Sequence, residues 1–337
     1  MTEYKEAGVD LRSAESVKEQ IAAAIRTTFG ENVLTAGGEF GGVYQIPGSD
    51  LSLVASVDGV GTKLKVAVRA NKHDTIGQDL VNHCVNDVAV MGARPALFLD
   101  YLAIGQLKEK VVLEIISGLV RGCQEHSVAL IAGETAQMPD IYKEGEYDLA
   151  GTIVGFLHPD DRLLKPGIGE GDLLIGVVSN GLHTNGYSLA RKIVFEMNDW
   201  DVHTHSDDLA QTWGEELLRV HRSYLNEIRS LMESSLAKAF AHITGGGIPG
   251  NLSRIIPEDL TAEIARSAIA EQAVFKVLQE AGNVADDEMY QVFNMGIGLI
   301  AVCSSEDETT VLDSLGDSAM TIGKVVGGAG NPRVTIH

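Results

Sequence analysis

The chain has 337 residues, 45% hydrophobic and 22% charged, an ordinary globular composition long enough for two domains and a large core without disulfides. Its 26 basic and 47 acidic residues leave a formal charge of −21, which repels nucleic acid and anionic membranes but admits phosphate ligands where a divalent cation bridges them to carboxylates. The three cysteines (Cys84, Cys123, Cys303) form no C-x-x-C pair and read as reduced thiols. The polar start MTEYKEAGVDLR is not a signal peptide, and no apolar run approaches the ~18 residues of a membrane span, so the expected location is the cytoplasm.

Apolar spacing predicts a helix over 14–28, stopped by Gly30, then a glycine-rich loop or irregular strand over 32–50. Strands are expected at 51–57, 95–101, 127–132 and 147–157, with helices at 76–91 and 108–124. The polar stretch HPDDRLLKPGIGEGD (158–172) marks a domain junction, giving domains 1–165 and 166–337. Beyond it, strands are predicted at 172–178, 295–303 and 321–326 and helices at 185–197, 214–232, 271–281 and 306–315, with an apolar segment over 237–243. Strands and helices mix in both halves, so the fold class is mixed α/β, that is, α+β.

Three of these apolar segments run into an acid: Asp58 in SVDGVGTK, Asp100 in FLDY and Glu134 in AGETAQ. Acids gathered beyond strand ends repel one another unless cations lie between them, and Mg²⁺ suits oxygen ligands that leave room for phosphate. The alternative is that each acid merely forms a turn or cap. The 76–91 helix adds to the pattern, because Asp79, Asn82, His83, Asn86 and Asp87 fill its polar side with short groups rather than the Lys, Glu, Gln and Arg of a solvated face. No Cys or second His stands at metal spacing from His83, which favours Mg²⁺ over zinc and leaves His83 as a possible polar neighbour.

Lys63 in DGVGTK is placed to meet a phosphate, although the string is not a P-loop and an idle exposed lysine is the plainer reading. SNGLHTNGYSL (179–189) presents a strand-to-helix turn suited to an anion, with His183 inside it as a donor or proton carrier; a helix cap by Thr184 or Asn185 is the alternative. GGGIPG in AHITGGGIPGN fits the dinucleotide fingerprint literally, but Pro249 and its late position argue against a Rossmann unit and leave a backbone phosphate cradle.

Taken in order, YKEAGVD, SVDGVGTKL, HDTIGQDLVNHCVNDVAVMGARP, FLDYLA, AGETAQMP, YDLAG, SNGLHTNGYSL, HITGGG and FNMGIG resemble the phosphoribosylformylglycinamidine cyclo-ligase family, along nearly the whole chain. The resemblance implies a superfamily of ATP-using enzymes, an N-terminal domain that pairs with a second subunit into a β-barrel, and a C-terminal α/β domain. It implies a reaction in which ATP phosphorylates the formyl oxygen of formylglycinamidine ribonucleotide and an internal nitrogen closes the imidazole, giving 5-aminoimidazole ribonucleotide, ADP and phosphate. Carried over by motif, Asp58, Asp79, Asp87 and Glu134 hold Mg²⁺ and the ATP phosphates, with Asp87, His183 and Lys63 as the catalytic set. His183 and Asn185 line the substrate region, Gly245, Gly246 and Gly247 approach a phosphate by backbone, and Lys5 lies in an arm that closes over the nucleotide. Departures include GGEFGG for the usual GGFGG and Gly250 where the family carries Glu. The rival readings are a related kinase or phosphate synthetase and a nucleotide-binding module without catalysis.

Overall fold

The structure is a computed structural model that describes residues 4–8, 11–161, 167–328 and 332–337. A short 3₁₀ turn at Tyr4–Ala7 precedes α1 (Leu11–Arg26), β1 (Gly42–Gln45), β2 (Ser52–Gly59), α2 (Lys63–Ala70), α3 (Ile76–Ala89) and β3 (Arg94–Ile104). Then follow α4 (Glu109–Glu125), β4 (Ala129–Gln137) and β5 (Tyr147–Leu157). Residues 162–166, inside the expected junction, lie outside the described residues. The second half comprises β6 (Leu173–Val178), α5 (Tyr187–Arg191) running into a π-helical turn, β7 (His205–Ser206), β8 (Gln211–Thr212), α6 (Trp213–Leu217) and α7 (Leu225–Glu233). It ends with β9 (Ala239–His242), α8 (Gly247–Leu252), β10 (Leu260–Ile264), α9 (Ala273–Gly282), α10 (Asp286–Val292), β11 (Ile297–Cys303), α11 (Glu308–Leu315), β12 (Ala319–Gly327) and β13 (Val334–Ile336).

The first half builds a five-stranded sheet in the order β1-β2-β5-β3-β4, antiparallel except for the β3–β4 pair. Burial alternates strictly along β5, the signature of a sheet covered on one face only. The covered face packs against α3, and α4 packs behind α3. That helix pair approaches very closely, since a methyl on Gly77 would stand 2.4 Å from the Ile115 carbonyl oxygen and one on Gly118 2.6 Å from that of Asp74. The open face carries Tyr44, Val57, Tyr101 and Phe156, all exposed and brought to one side by the register.

The second half builds a six-stranded sheet in the order β13-β10-β12-β6-β11-β9. Every residue of β11 is buried, which explains its unbroken apolar sequence IGLIAVC. The two halves meet along α3. All of its residues except Gln78 are buried, so its polar side is interior and not solvated.

Two expected features differ. The predicted 214–232 helix is broken between α6 and α7, because residues 218–224 unwind to place their backbone against α3. Asp100 and Glu134 also do not end their strands: β3 continues to Ile104 and β4 to Gln137.

Candidate active site

The unwound segment shows what most of the polar side of α3 does. Asp79 Oδ1 accepts from the His221 main-chain N–H at 2.7 Å, and Asn82 Nδ2 donates to the His221 carbonyl at 2.7 Å. Asn86 accepts from the Tyr224 N–H at 2.8 Å and donates to the Arg222 carbonyl at 2.9 Å. A buried loop backbone must find such partners, and short polar side chains on a rigid helix supply them.

Lys63 belongs to this seam. Its ammonium is wholly buried and donates to Asp79 Oδ1 at 2.8 Å, to the Arg219 carbonyl at 2.6 Å and to the His183 carbonyl at 3.1 Å. All three of its protons are thereby engaged. Burial pushes the Asp79 carboxyl up and the Lys63 ammonium down despite their pairing. Lys63 and Asp79, expected to meet phosphate and metal, here form a buried ion pair that ties the two halves together and leaves Asp79 Oδ2 buried without a partner among the described residues.

Asp58, at the end of β2, and Asp87, in α3, form a different arrangement. His83 Nε2 lies 2.8 Å from Asp58 Oδ2 and 3.8 Å from Asp87 Oδ2. Burial alone would lower the His83 pKa, but Asp58 first and then Asp87 and Asp79 outweigh it and raise it to about 9. His83 is therefore an imidazolium near neutral pH, and its positive charge outweighs burial at Asp58 and holds that carboxyl below its usual range. The Asp58 side chain is 37% exposed, so this pair opens to solvent.

From His83 a chain of contacts crosses into the second half. His83 Nδ1 meets Thr184 Oγ1 at 2.8 Å, Thr184 Oγ1 meets His221 Nδ1 at 3.2 Å, and His221 Nε2 meets His242 Nε2 at 3.0 Å. His242 Nδ1 closes on Asp87 Oδ1 at 2.8 Å. One assignment satisfies every contact: His83 donates to Thr184, Thr184 to His221, His221 to His242 and His242 to Asp87. Burial lowers the pKa of both His221 and His242, in keeping with neutral rings. Neither His221 nor His242 was singled out from sequence, although His242 stands in the quoted HITGGG. His83, Asp87 and His242 place ligand atoms within 4.8 Å of one another, which supplies the second histidine that the spacing alone did not reveal.

The two glycine-bearing loops lie side by side. A methyl on Gly245 would come within 3.3 Å of Asn185 Oδ1. Asn185 Nδ2 is buried without a partner among the described residues, as are both ring nitrogens of His183. His183 has a left-handed backbone (φ +62°) and stacks on His221 at 4.1 Å between centroids, and burial drives its pKa well below the ordinary value. Gly246 and Gly247 both have positive φ. At Gly247 a methyl would meet the Tyr290 carbonyl oxygen at 1.9 Å, so close packing on α10 accounts for that glycine.

Two expected residues stand apart. Glu134 pairs in register with Tyr101, on the open face of the first sheet, whereas Asp100 lies opposite Gly133 and Gly151 on the covered face. Within one chain, therefore, Glu134 does not join Asp58 and Asp87. Lys5 is exposed, in the 3₁₀ turn that packs against α5.

This two-sheet architecture is that of the AIR synthase related proteins, whose N-terminal domain family matches residues 38–157 and whose C-terminal domain family matches 169–334. The crystal structure of a thiamine-monophosphate kinase from Stenotrophomonas maltophilia superposes with a TM-score of 0.64 at 20% identity, covering 94% of each chain, and so shares the fold. Curated phosphoribosylformylglycinamidine cyclo-ligases are much closer in sequence. That of Alkaliphilus oremlandii is 43% identical over 97% of both chains, and that of Desulfitobacterium hafniense 44% over 96% of both. The chain belongs to the phosphoribosylformylglycinamidine cyclo-ligase family, a family of enzymes.

Proposed function

We propose that the protein catalyses the ATP-dependent cyclisation of formylglycinamidine ribonucleotide to 5-aminoimidazole ribonucleotide, with release of ADP and phosphate, in purine biosynthesis. The full-length likeness to cyclo-ligases carries the proposal. The formyl oxygen is a poor leaving group; transfer of the terminal phosphoryl to it makes it a good one, and attack by the internal nitrogen closes the ring and expels phosphate. Both steps depend on positioning and charge neutralisation more than on covalent participation by the protein.

The residues of the rim fit Mg²⁺. Two carboxylates from separate elements converge there on one positive charge, that of His83, and Asp58 is open to water. Asp58 and Asp87 would hold the ion, which when bound neutralises phosphate charge. His242 orients Asp87 through its Nδ1–H. His183 and Asn185 offer buried unpaired groups to the ribonucleotide, and Gly245 and Gly246 approach its phosphate by backbone. Lys63 and Asp79 act by holding the seam in register, and Lys5 by closing the N-terminal turn over the nucleotide.

A second copy covers the open apolar face of the first sheet in this reading, making a homodimer and bringing Glu134 into the assembled site. The division at 165/166 then separates a nucleotide-binding and dimerising domain from the C-terminal α/β domain. The test is an assay of ADP release with and without the formyl ribonucleotide, with the cyclised product identified by mass. Release of ADP tied one-to-one to the aminoimidazole product supports the reading, and ADP release indifferent to the ribonucleotide overturns it.

A further inference from the structure

Arg254, in the turn after α8, reaches from the second half back to the first. Its guanidinium carbon lies 4.8 Å from the centroid of the Phe40 ring, in the GGEFGG loop. The Phe40 carbonyl accepts from the Ser56 hydroxyl at 3.1 Å, and that hydroxyl lies 3.4 Å from Asp87 Oδ2. Arg254 thus stacks on a loop residue whose carbonyl is tied through Ser56 to Asp87. Burial pulls its pKa down while Asp87 and Asp58 pull it up, so both acids sense its charge.

Yet among the described residues the Arg254 guanidinium makes no hydrogen bond or ion pair, its contact being the Phe40 ring. Its neighbour in the same recess, Arg333, behaves otherwise, donating to the Ser253 carbonyl at 3.2 Å and to Glu258 at 3.4 Å. The recess they share, about 700 Å³ and lined also by Pro249, Glu258 and Pro332, is built from residues remote in sequence from the Phe40 loop. Gly250, four residues before Arg254, offers no carboxylate, and a side chain there would meet open space. A cation fixed by an aromatic ring, near two acids but bonded to neither, is arranged for an anion that comes from outside. With a divalent ion on Asp58 and Asp87, the two positive charges would repel unless an anion stood between them.

We propose that Arg254 is a phosphoryl-binding residue, its planar guanidinium taking two oxygens of a reactant beside Asp58 and Asp87. The inference rests on the cyclo-ligase reading. The phosphoryl belongs either to the nucleotide or to the phosphate monoester of the ribonucleotide.

The test uses Arg254→Gln, Arg254→Lys and Gly250→Glu in the full chain, with Michaelis constants for both reactants, thermal unfolding, and calorimetry with inorganic phosphate. Loss of a charge-assisted bidentate contact raises one KM by about 10- to 100-fold in Arg254→Gln. Arg254→Lys keeps the charge without the fork and recovers part of the loss. Gly250→Glu adds a negative charge four residues before Arg254 and raises the same KM. A rise confined to ATP assigns the nucleotide phosphoryl, and one confined to the ribonucleotide assigns the monoester. Both Michaelis constants within about 2-fold of the parent in Arg254→Gln and in Gly250→Glu would overturn the proposal and leave Arg254 as a clamp on Phe40. If the parent chain fails to cyclise the ribonucleotide, phosphate calorimetry still decides: binding lost in Arg254→Gln upholds the site, and equal binding overturns it.

Discussion

The polar side of α3 has two regions that look alike in sequence and behave differently in the fold. Around Asp79, Asn82 and Asn86 most groups are paired: these side chains and Lys63 bond to each other and to the backbone of residues 219–224, with Asp79 Oδ2 the one carboxylate oxygen there that is buried without a partner among the described residues. Around Asp58, His83 and Asp87 two carboxylates share one imidazolium, and the group opens to solvent at Asp58. Both regions use short, rigid, polar groups, which serve equally to satisfy a buried backbone and to hold a ligand. Exposure and an exchangeable counter-charge separate them. The interior region ties the two halves together; the proposed function places the chemistry at the rim.

That contrast can be broken by mutation. The largest expected effect is at Lys63. Lys63→Met strands a buried carboxylate at Asp79 and should lower unfolding free energy by about 3–5 kcal/mol in denaturant titrations. Adding Asp79→Leu should restore much of the loss, since removing both charges leaves none unpaired. If Lys63→Met unfolds like the parent yet has lost turnover, the lysine is a ligand contact after all.

The next effect is on rate. Asp87→Asn should reduce ATP-dependent turnover by at least about 100-fold, the scale of losing one electrostatic stabiliser of a transition state. The fold should survive, because an amide oxygen can still accept from His242. Near-normal turnover would remove Asp87 from the site.

A third effect lies in pH. His83 titrates at about 9 in the folded chain against 6.5 as its ordinary value, so its stabilisation is fully present below about pH 6.5 and is lost as pH rises through 9. The whole shift corresponds to about 3 kcal/mol. His183, His221 and His242 have lowered pKa values, so their contributions hold above about pH 6.5 and fall away below it. Stability followed by urea unfolding should therefore peak near pH 6.5 and fall on both sides, and His83→Gln should flatten the alkaline side alone. A parent whose stability does not change between pH 7 and 9 would contradict the charge assigned to His83.

The smallest effect concerns assembly. Phe156→Asp places a charge on the open sheet face, and sedimentation should show a dimeric parent and a monomeric variant. A parent that sediments as a monomer would leave Glu134 without a route into the site.

Much of this was legible in the residue pattern. Apolar runs located β2, β5, β6 and β11, and the alternation of α3 separated its apolar and polar sides before any fold was known. What the pattern hid was long-range. The break at 218–224 depends on α3 side chains about 140 positions earlier, which no local periodicity reports. His221 and His242 gain meaning only where folding sets them against His83 and Asp87. Asp100 and Glu134 looked like strand ends because a polar residue interrupts an apolar run, whereas the ladder carries both strands onward. Arg254 gave no signal, since a lone arginine after a short glycine- and proline-containing helix is unremarkable until Phe40 is found beneath it.

The most direct measurement compares Asp58→Asn with Asp79→Asn, scoring thermal stability and Mg²⁺-dependent ADP release in each. Asp58→Asn should fold like the parent while its Mg²⁺ dependence shifts to at least about 10-fold higher concentration, and Asp79→Asn should chiefly lose stability. Unchanged Mg²⁺ dependence in Asp58→Asn, with Asp79→Asn stable but inactive, would reverse the assignment of rim and interior and contradict the account.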